Sequence, residues 1–171
     1  MNHIVLYQPE IPQNTGNIMR TCVANNMKLH LIKPLGFSLD IKDVRRSAAN
    51  YMEHLDYAVY EDFSDFLSKN KGCFYFLTRY GKKSPDRFDF KTTDEDIYLI
   101  FGSESSGIPK KILKRYLDHC MRIPMTDKVR SLNLSNAVAI LAYEVMRQQK
   151  FSDLHRHEPE TQKGPDWLTK D

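Results

Sequence analysis

Cysteine is scarce in this 171-residue chain, and each one stands alone. Cys22, Cys73 and Cys120 are odd in number and never form a C-x-x-C pair, which argues against a disulfide framework and against a zinc site. Three reduced, buried, inert thiols are the expectation. Long apolar runs are also missing: Tyr143, Glu144 and Arg147 interrupt the best candidate before it reaches the ~20 residues of a membrane span. No basic start followed by an apolar stretch opens the chain. These absences predict a cytoplasmic protein with no membrane association. There is no internal repeat, and no His, Cys, Asp or Glu grouping has metal-ligand spacing, so no metal is expected; His155 and His157 are read as tail residues.

Neither sign of charge dominates, at a net +3, but the excess is uneven. Residues 151–171 hold five acids against three bases, leaving 22 basic and 17 acidic residues in the body. Basic residues bunch at Lys42, Arg45 and Arg46; at Arg79, Lys82, Lys83 and Arg87; at Lys110, Lys111, Lys114 and Arg115; and at Lys128 and Arg130. Such clusters suit a phosphate backbone when they flank loops and form an ordinary solvated face when they lie on helices; charge alone leaves both open.

What is present in abundance is alternation. Short runs rich in β-branched and aromatic residues recur at 3–7, 28–33, 57–61, 72–78, 96–101 and 120–124, and read as strands. Helical spacing lies between most of them, at 15–26, 41–53, 62–69 and 109–118. A last helix over 133–149 carries Leu134, Ala137, Val138, Leu141, Val145 and Met146 as a core-facing stripe. Alternating strands and helices predict an α/β fold: one domain over 1–150, with a mostly parallel six-stranded sheet and helices on both faces. The length suffices to fold without disulfides or metal. Residues 151–171 read as a polar tail with little intrinsic order. The connection 79–96, charged and rich in turn formers, is the longest in the body and is expected to be mobile or functional.

Three segments could carry chemistry. The first, RIPMTDKVRSLNLSN (122–136), runs from a strand end through a polar loop into the last helix. Ser131, Asn133, Ser135 and Asn136 stand where helix N–H groups lack partners, so they cap that helix or hold a ligand. The second, FGSESSGIP (101–109), ends a strand at Gly102 and starts a helix at Pro109. Its G-x-x-x-x-G spacing lacks the Lys and Ser/Thr of a phosphate loop, and Glu104 would repel a triphosphate. A fixed carboxylate beside Gly-rich backbone suits a neutral or cationic ligand, of which the sulfonium of S-adenosylmethionine is an example; Glu104 capping a turn is the alternative. The third, PEIPQNTGNIMRTC (9–22), follows the first strand without the G-x-G-x-x-G of a dinucleotide site. Asn14 or Thr15 can cap a helix beginning near Gly16, with Ile18, Met19, Cys22 and Val23 inward and Asn17 and Arg20 outward. An outward arginine is either solubilising or, in a cleft, a bidentate phosphate clamp.

Taken jointly and in this order, N-T-G-N-I-x-R, F-G-S-E-S-S-G-I-P and R-I-P-M through R-S-L-N-L-S-N-A resemble the SPOUT superfamily of RNA methyltransferases, over roughly residues 2–149. The start I-V-L-Y-x-P-E-I-P-x-N-T-G-N resembles its short single-domain branch, which methylates the ribose 2'-hydroxyl of the wobble cytidine or uridine of leucine tRNAs. That resemblance implies a C-terminal trefoil knot, a homodimer, and S-adenosylmethionine as donor with S-adenosylhomocysteine as product. Carried over by position, Leu77, Thr78, Gly102, Ile123, Ser131 and Leu132 would bind the cofactor, with Glu104 beside the methyl donor. Asn14, Arg20, Ser131 and Asn133 would surround the ribose. A guanidinium keeps its proton and offers no free lone pair, so Arg20 is expected to clamp a phosphate while that phosphate or Ser131 relays the proton. Arg79, Lys82, Lys83, Arg45 and Arg46 are the expected RNA contacts. A ribosomal RNA 2'-O-methyltransferase and a non-catalytic RNA-binding module of the same fold are the alternatives.

Overall fold

A computed structural model of the chain describes residues 1–40, 42, 44, 49–91 and 94–170. Six strands, β1 (Asn2–Tyr7), β2 (Lys28–Ile32), β3 (Tyr57–Tyr60), β4 (Cys73–Leu77), β5 (Ile97–Phe101) and β6 (Cys120–Met121), form one sheet in the order β3-β2-β1-β5-β4-β6. Every pairing is parallel, so the sheet is wholly rather than mostly so.

Parallel strands covered on both faces must be apolar on both, and the alternation along β1 and β5 meets that demand. Ile4, Leu6, Leu99 and Phe101 face α1 (Pro12–Ala24) and the C-terminal helix α4 (Leu134–Gln148), packing with Ile18, Met19, Cys22, Val138, Leu141 and Val145. Val5, Tyr98 and Ile100 face the other way, toward Phe63 and Phe66 of α2 (Phe63–Lys69) and Ile112 and Leu113 of the short α3 (Lys110–Leu113). Phe151 and Leu154, which open the expected tail, pack against the first of these cores.

Three boundaries depart from expectation. Helix α1 starts at Pro12, not near Gly16: proline occupies the first turn, Ile11 stands at the cap position without a capping side chain, and Asn14 and Thr15 are buried inside the helix. The last strand keeps only two residues because the Arg122 N–H turns to the Lys83 carbonyl, 3.0 Å away, instead of continuing along β4. The helix expected over 109–118 breaks after one turn into a 3-10 turn at Leu117–His119. Of the helix expected over 41–53, residues 41, 43 and 45–48 lie outside the described residues, and Ala49–His54 forms a 3-10 helix. Cys73 is half-buried, with its thiol 3.0 Å from Glu95 Oε2, whereas Cys22 and Cys120 are buried and burial pushes both thiols up.

Strand register fixes where the loops emerge. Leu6, Phe101, Leu77 and Met121 lie side by side across β1, β5, β4 and β6, so the segments after all four strands leave from one edge. That edge includes the β1–β5 boundary, where chain order reverses, the usual place for a ligand in an open α/β sheet.

Candidate active site

At this edge opens a cleft of about 660 Å³, within the roughly 300–1,000 Å³ typical of small-molecule sites. The 9–22, 101–109 and 122–136 segments, far apart in sequence, all line it. Its wall includes Asn14, Leu77, Thr78, Gly102, Glu104, Ile123, Ser131, Leu132 and Asn133, together with Arg79 from the expected RNA contacts.

One chain of hydrogen bonds ties the segments together. Asn133 caps α4, its Oδ1 accepting from Ser135 N (2.9 Å) and Asn136 N (3.3 Å), and its Nδ2 donates to Asn14 Oδ1 at 3.0 Å. Asn14 Nδ2 then donates to Glu104 Oε1 at 3.2 Å. Glu104 also accepts from the Glu10 N–H (2.8 Å) and the Ile11 N–H (3.0 Å), so a residue about ninety positions away holds the backbone that leads into α1. The orientations are forced. A carboxylate only accepts, so Asn14 must turn its amide nitrogen toward Glu104 and its oxygen toward Asn133, which must answer with Nδ2 and keep Oδ1 for the helix. Both readings of Asn133 thus hold at once: it caps, and it faces the cleft.

The loop after β5 is shaped by Gly102. A Cβ there would stand 2.3 Å from the Gly107 carbonyl carbon and 2.6 Å from Ile108 N, so only glycine lets the strand end meet the returning backbone. Ser103 and Gly107 form a bridge across this turn.

Not every expected residue is brought in. Arg20 lies outside the cleft lining, exposed on α1, where its Nη2 donates to Tyr51 Oη at 3.2 Å and its guanidinium sits 4.8 Å from that ring's centroid. Lys82 and Lys83 are exposed just beyond the rim. Arg45 and Arg46 lie outside the described residues. Conversely, sequence reasoning passed over Glu10, Tyr80 and Arg122, and named Arg130 only as one of a basic pair. Arg122, Arg130 and Tyr80 line the cleft; Glu10 supports it, accepting from Ser105 N (3.2 Å) and Ser105 Oγ (2.5 Å). Nothing local to Glu10 in P-E-I-P shows what its carboxylate would meet.

Among the described residues no group of three or more His, Cys, Asp or Glu could hold a metal, and no helix is long and apolar enough to cross a membrane.

A parallel α/β sheet with a loop-built cleft at its switch point defines an open α/β architecture with a ligand site, and the family described as "SpoU rRNA Methylase family" matches residues 1–143, which makes the chain's class that of the RNA methyltransferases. The chain belongs to that family, and the resemblance to SPOUT RNA methyltransferases is borne out. It is 50% identical over 153 residues, 89% of this chain and 96% of the relative, to a Bacillus subtilis protein provisionally named a tRNA (cytidine(34)-2'-O)-methyltransferase. A structure solved for the 2-OH methylation of C/U34 on tRNA superposes with a TM-score of 0.82 at 40% identity, covering 88% of this chain and 97% of that one. The methyltransferase AviRb of Streptomyces viridochromogenes, solved in complex with AdoMet, shares the fold at a TM-score of 0.76 and 21% identity, with 88% of this chain and 58% of that one covered.

Proposed function

We propose that this chain is an S-adenosylmethionine-dependent 2'-O-methyltransferase of the wobble cytidine or uridine of leucine tRNAs, acting in the cytoplasm as a homodimer. The observation that carries the reading is the convergence of the three motif segments on one cleft, welded by the Asn133–Asn14–Glu104 chain. The 50% identical relative named for position 34 of tRNA supports the substrate.

The cleft suits the cofactor. Leu77, Ile123 and Leu132 give apolar walls for an adenine, and at Gly102 the lining is main chain with no side chain. Glu104 presents a carboxylate to a cationic sulfonium; its two oxygens already take three donors, so about one of roughly four acceptor sites stays free. Thr78 and Ser131 add hydroxyls to the lining. When bound, S-adenosylmethionine supplies a methyl group on sulfur for transfer to a ribose oxygen.

The protein's own task is to present the 2'-hydroxyl and take its proton. Asn14 and Asn133, locked by their mutual hydrogen bond, position the ribose, and Ser131, exposed on the loop before α4, relays the proton toward a neighbouring phosphate. A positioned proton acceptor contributes about 10²- to 10⁴-fold. Arg20 clamps that phosphate bidentately, from the partner protomer, since it stands outside the cleft of its own chain. Ile140 and Tyr143, 46% and 48% exposed on the outer face of α4, supply apolar surface for such a dimer. A trefoil knot in the C-terminal region is supported by the connection after β4. It presses Gly81 on the Met121–Arg122 backbone and is held at Phe90 by Gln148 and Gln149.

The family description names ribosomal RNA, so a ribosomal substrate is the second reading. Tritiated methyl transfer to purified leucine tRNAs with the wobble base varied, beside ribosomal RNA, decides between them. Label confined to the wobble ribose is expected; label in ribosomal RNA alone overturns the proposal.

A further inference from the structure

We infer that Tyr80 is a stacking platform for one nucleobase of the bound RNA, fixed at the mouth of the cleft. The inference rests on the RNA-methylating reading above and adds to it the residue that receives a base.

Tyr80 is 74% exposed, yet it belongs to the cleft lining, whose other aromatic, Phe101, is buried in the sheet. A lone exposed ring is ordinary on a protein surface. A ring held on an immobile backbone at a cleft mouth is not, and the turn that carries Tyr80 is held from several sides. The Tyr80 N–H donates to Thr78 Oγ1 at 3.3 Å and the Gly81 N–H to the Thr78 carbonyl at 3.3 Å. Beneath Gly81 there is no slack, since a Cβ would stand 2.3 Å from the Met121 carbonyl carbon. Lys83 bridges to Met121, and the Arg122 guanidinium donates to the Arg79 carbonyl at 2.7 Å. The Tyr80 backbone is therefore set before any ligand arrives, which lowers the ordering cost of stacking against it.

The surroundings match the partner. Arg79 places its guanidinium 5.4 Å from the Tyr80 ring centroid, Arg122 and Arg130 line the same cleft, and Lys82 and Lys83 follow exposed. An aromatic face interleaved with cations is how proteins hold single-stranded RNA: bases stack on the ring while phosphates meet the charges. An anticodon loop offers unpaired bases, and a ring stacks on any of them with little sequence preference.

The test compares wild type, Tyr80→Phe and Tyr80→Ala on a leucine tRNA anticodon stem-loop carrying 2-aminopurine at each loop position in turn. Tyr80→Ala is expected to raise KM for RNA about 5- to 100-fold, with kcat at saturating RNA and affinity for S-adenosylmethionine alone retained. Tyr80→Phe keeps the wild-type KM, because stacking uses the ring and not the hydroxyl. Wild type and Tyr80→Phe quench 2-aminopurine at one loop position, and Tyr80→Ala loses that quench. An unchanged KM in Tyr80→Ala overturns the inference, as does a loss confined to cofactor affinity or a Tyr80→Phe as impaired as Tyr80→Ala. Failure of the wild type to methylate tRNA rejects the proposed function instead. The quench is still read by binding, and its absence in the wild type overturns the stacking role.

Discussion

Glu10 and Glu104 each hold the other's loop. Glu104 Oε2 accepts the Glu10 N–H at 2.8 Å, while the Glu10 carboxylate accepts the N–H of Ser105, the residue after Glu104, at 3.2 Å. This exchange joins the loop after β1 to the loop after β5, the two strands that meet at the sheet's switch point. Hydrogen bonds to charged groups contribute about 1.5–3 kcal/mol when shielded and less where solvent reaches them, as here. Glu10→Ala should therefore lower stability by about 1 kcal/mol, or about 2–4 °C in Tm, and weaken cofactor binding several-fold. A double-mutant cycle with Glu104→Ala should show a coupling of about 0.5–3 kcal/mol. Additive effects of the two substitutions would break the reciprocal-clamp account.

Asn133 performs two functions that one substitution separates. Asn133→Ala removes the α4 cap, worth about 1 kcal/mol, and strands the Oδ1 of buried Asn14, costing about 1–3 kcal/mol more. Asn133→Asp keeps an acceptor for the helix but sets two acceptor-only carboxylates on either side of Asn14, whose amide can satisfy only one. Thermal melting should show Asn133→Asp more stable than Asn133→Ala, while methyl transfer falls at least tenfold in both, about 1.4 kcal/mol in the barrier. An Asn133→Asp enzyme with normal kcat would show that the orientation of Asn14 is immaterial.

Gly102→Ala should damage the cofactor site through backbone alone. Its Cβ would meet Gly107 and Ile108 main-chain atoms, none of which can rotate aside. Overpacking of this kind costs about 1–3 kcal/mol. Calorimetric titration is expected to show S-adenosylmethionine affinity reduced about tenfold or more, matching such a displacement. Unaltered affinity would place the cofactor away from this loop.

Acid should destabilise the protein through two buried histidines remote from the cleft. His3 Nδ1 lies 2.9 Å from His30 Nε2, and His30 Nδ1 lies 2.8 Å from Tyr60 Oη, with Tyr98 stacked on His3. Burial, reinforced by the charges of His3 and Lys28, brings His30 down to about 3; burial also lowers His3, against the pull of Asp96. Folded-state values below the unfolded 6.5 mean that the unfolded chain binds more protons under that pH. The stabilisation is complete above 6.5 and is lost as pH falls toward 3, with a slope of at most about 1.4 kcal/mol per pH unit for each histidine. Urea midpoints should drop between about pH 7.5 and pH 5, and His30→Gln should flatten that dependence. A midpoint constant over this range would refute the buried-neutral assignment.

Much of the fold was legible because period-2 and helical spacing are local quantities. The runs at 3–7, 28–33 and 96–101 matched β1, β2 and β5 to within a residue, since each is largely buried on both faces. Residues 120–124 looked equally strand-like, but the Arg122 N–H donates to the Lys83 carbonyl in the loop after β4, a partner no local pattern names. The start of α1 misled for a related reason: Asn14 has the chemistry of a cap, and its amide is spent between Glu104 and Asn133.

Sequence by itself determined the alternating elements, the inward stripes of α1 and α4, the outward Asn17 and Arg20, and the motifs that mark the family, because each depends on residue types a few positions apart. Tertiary structure alone decided which carboxylate meets which amide, that Tyr80 stands in water at the cleft mouth, and that Arg20 lies outside the lining of its own cleft. Those relations join residues about ninety or more positions apart, or depend on which surface the sheet leaves uncovered. Strand register and loop path settle both, and neither is written in any short stretch of the chain.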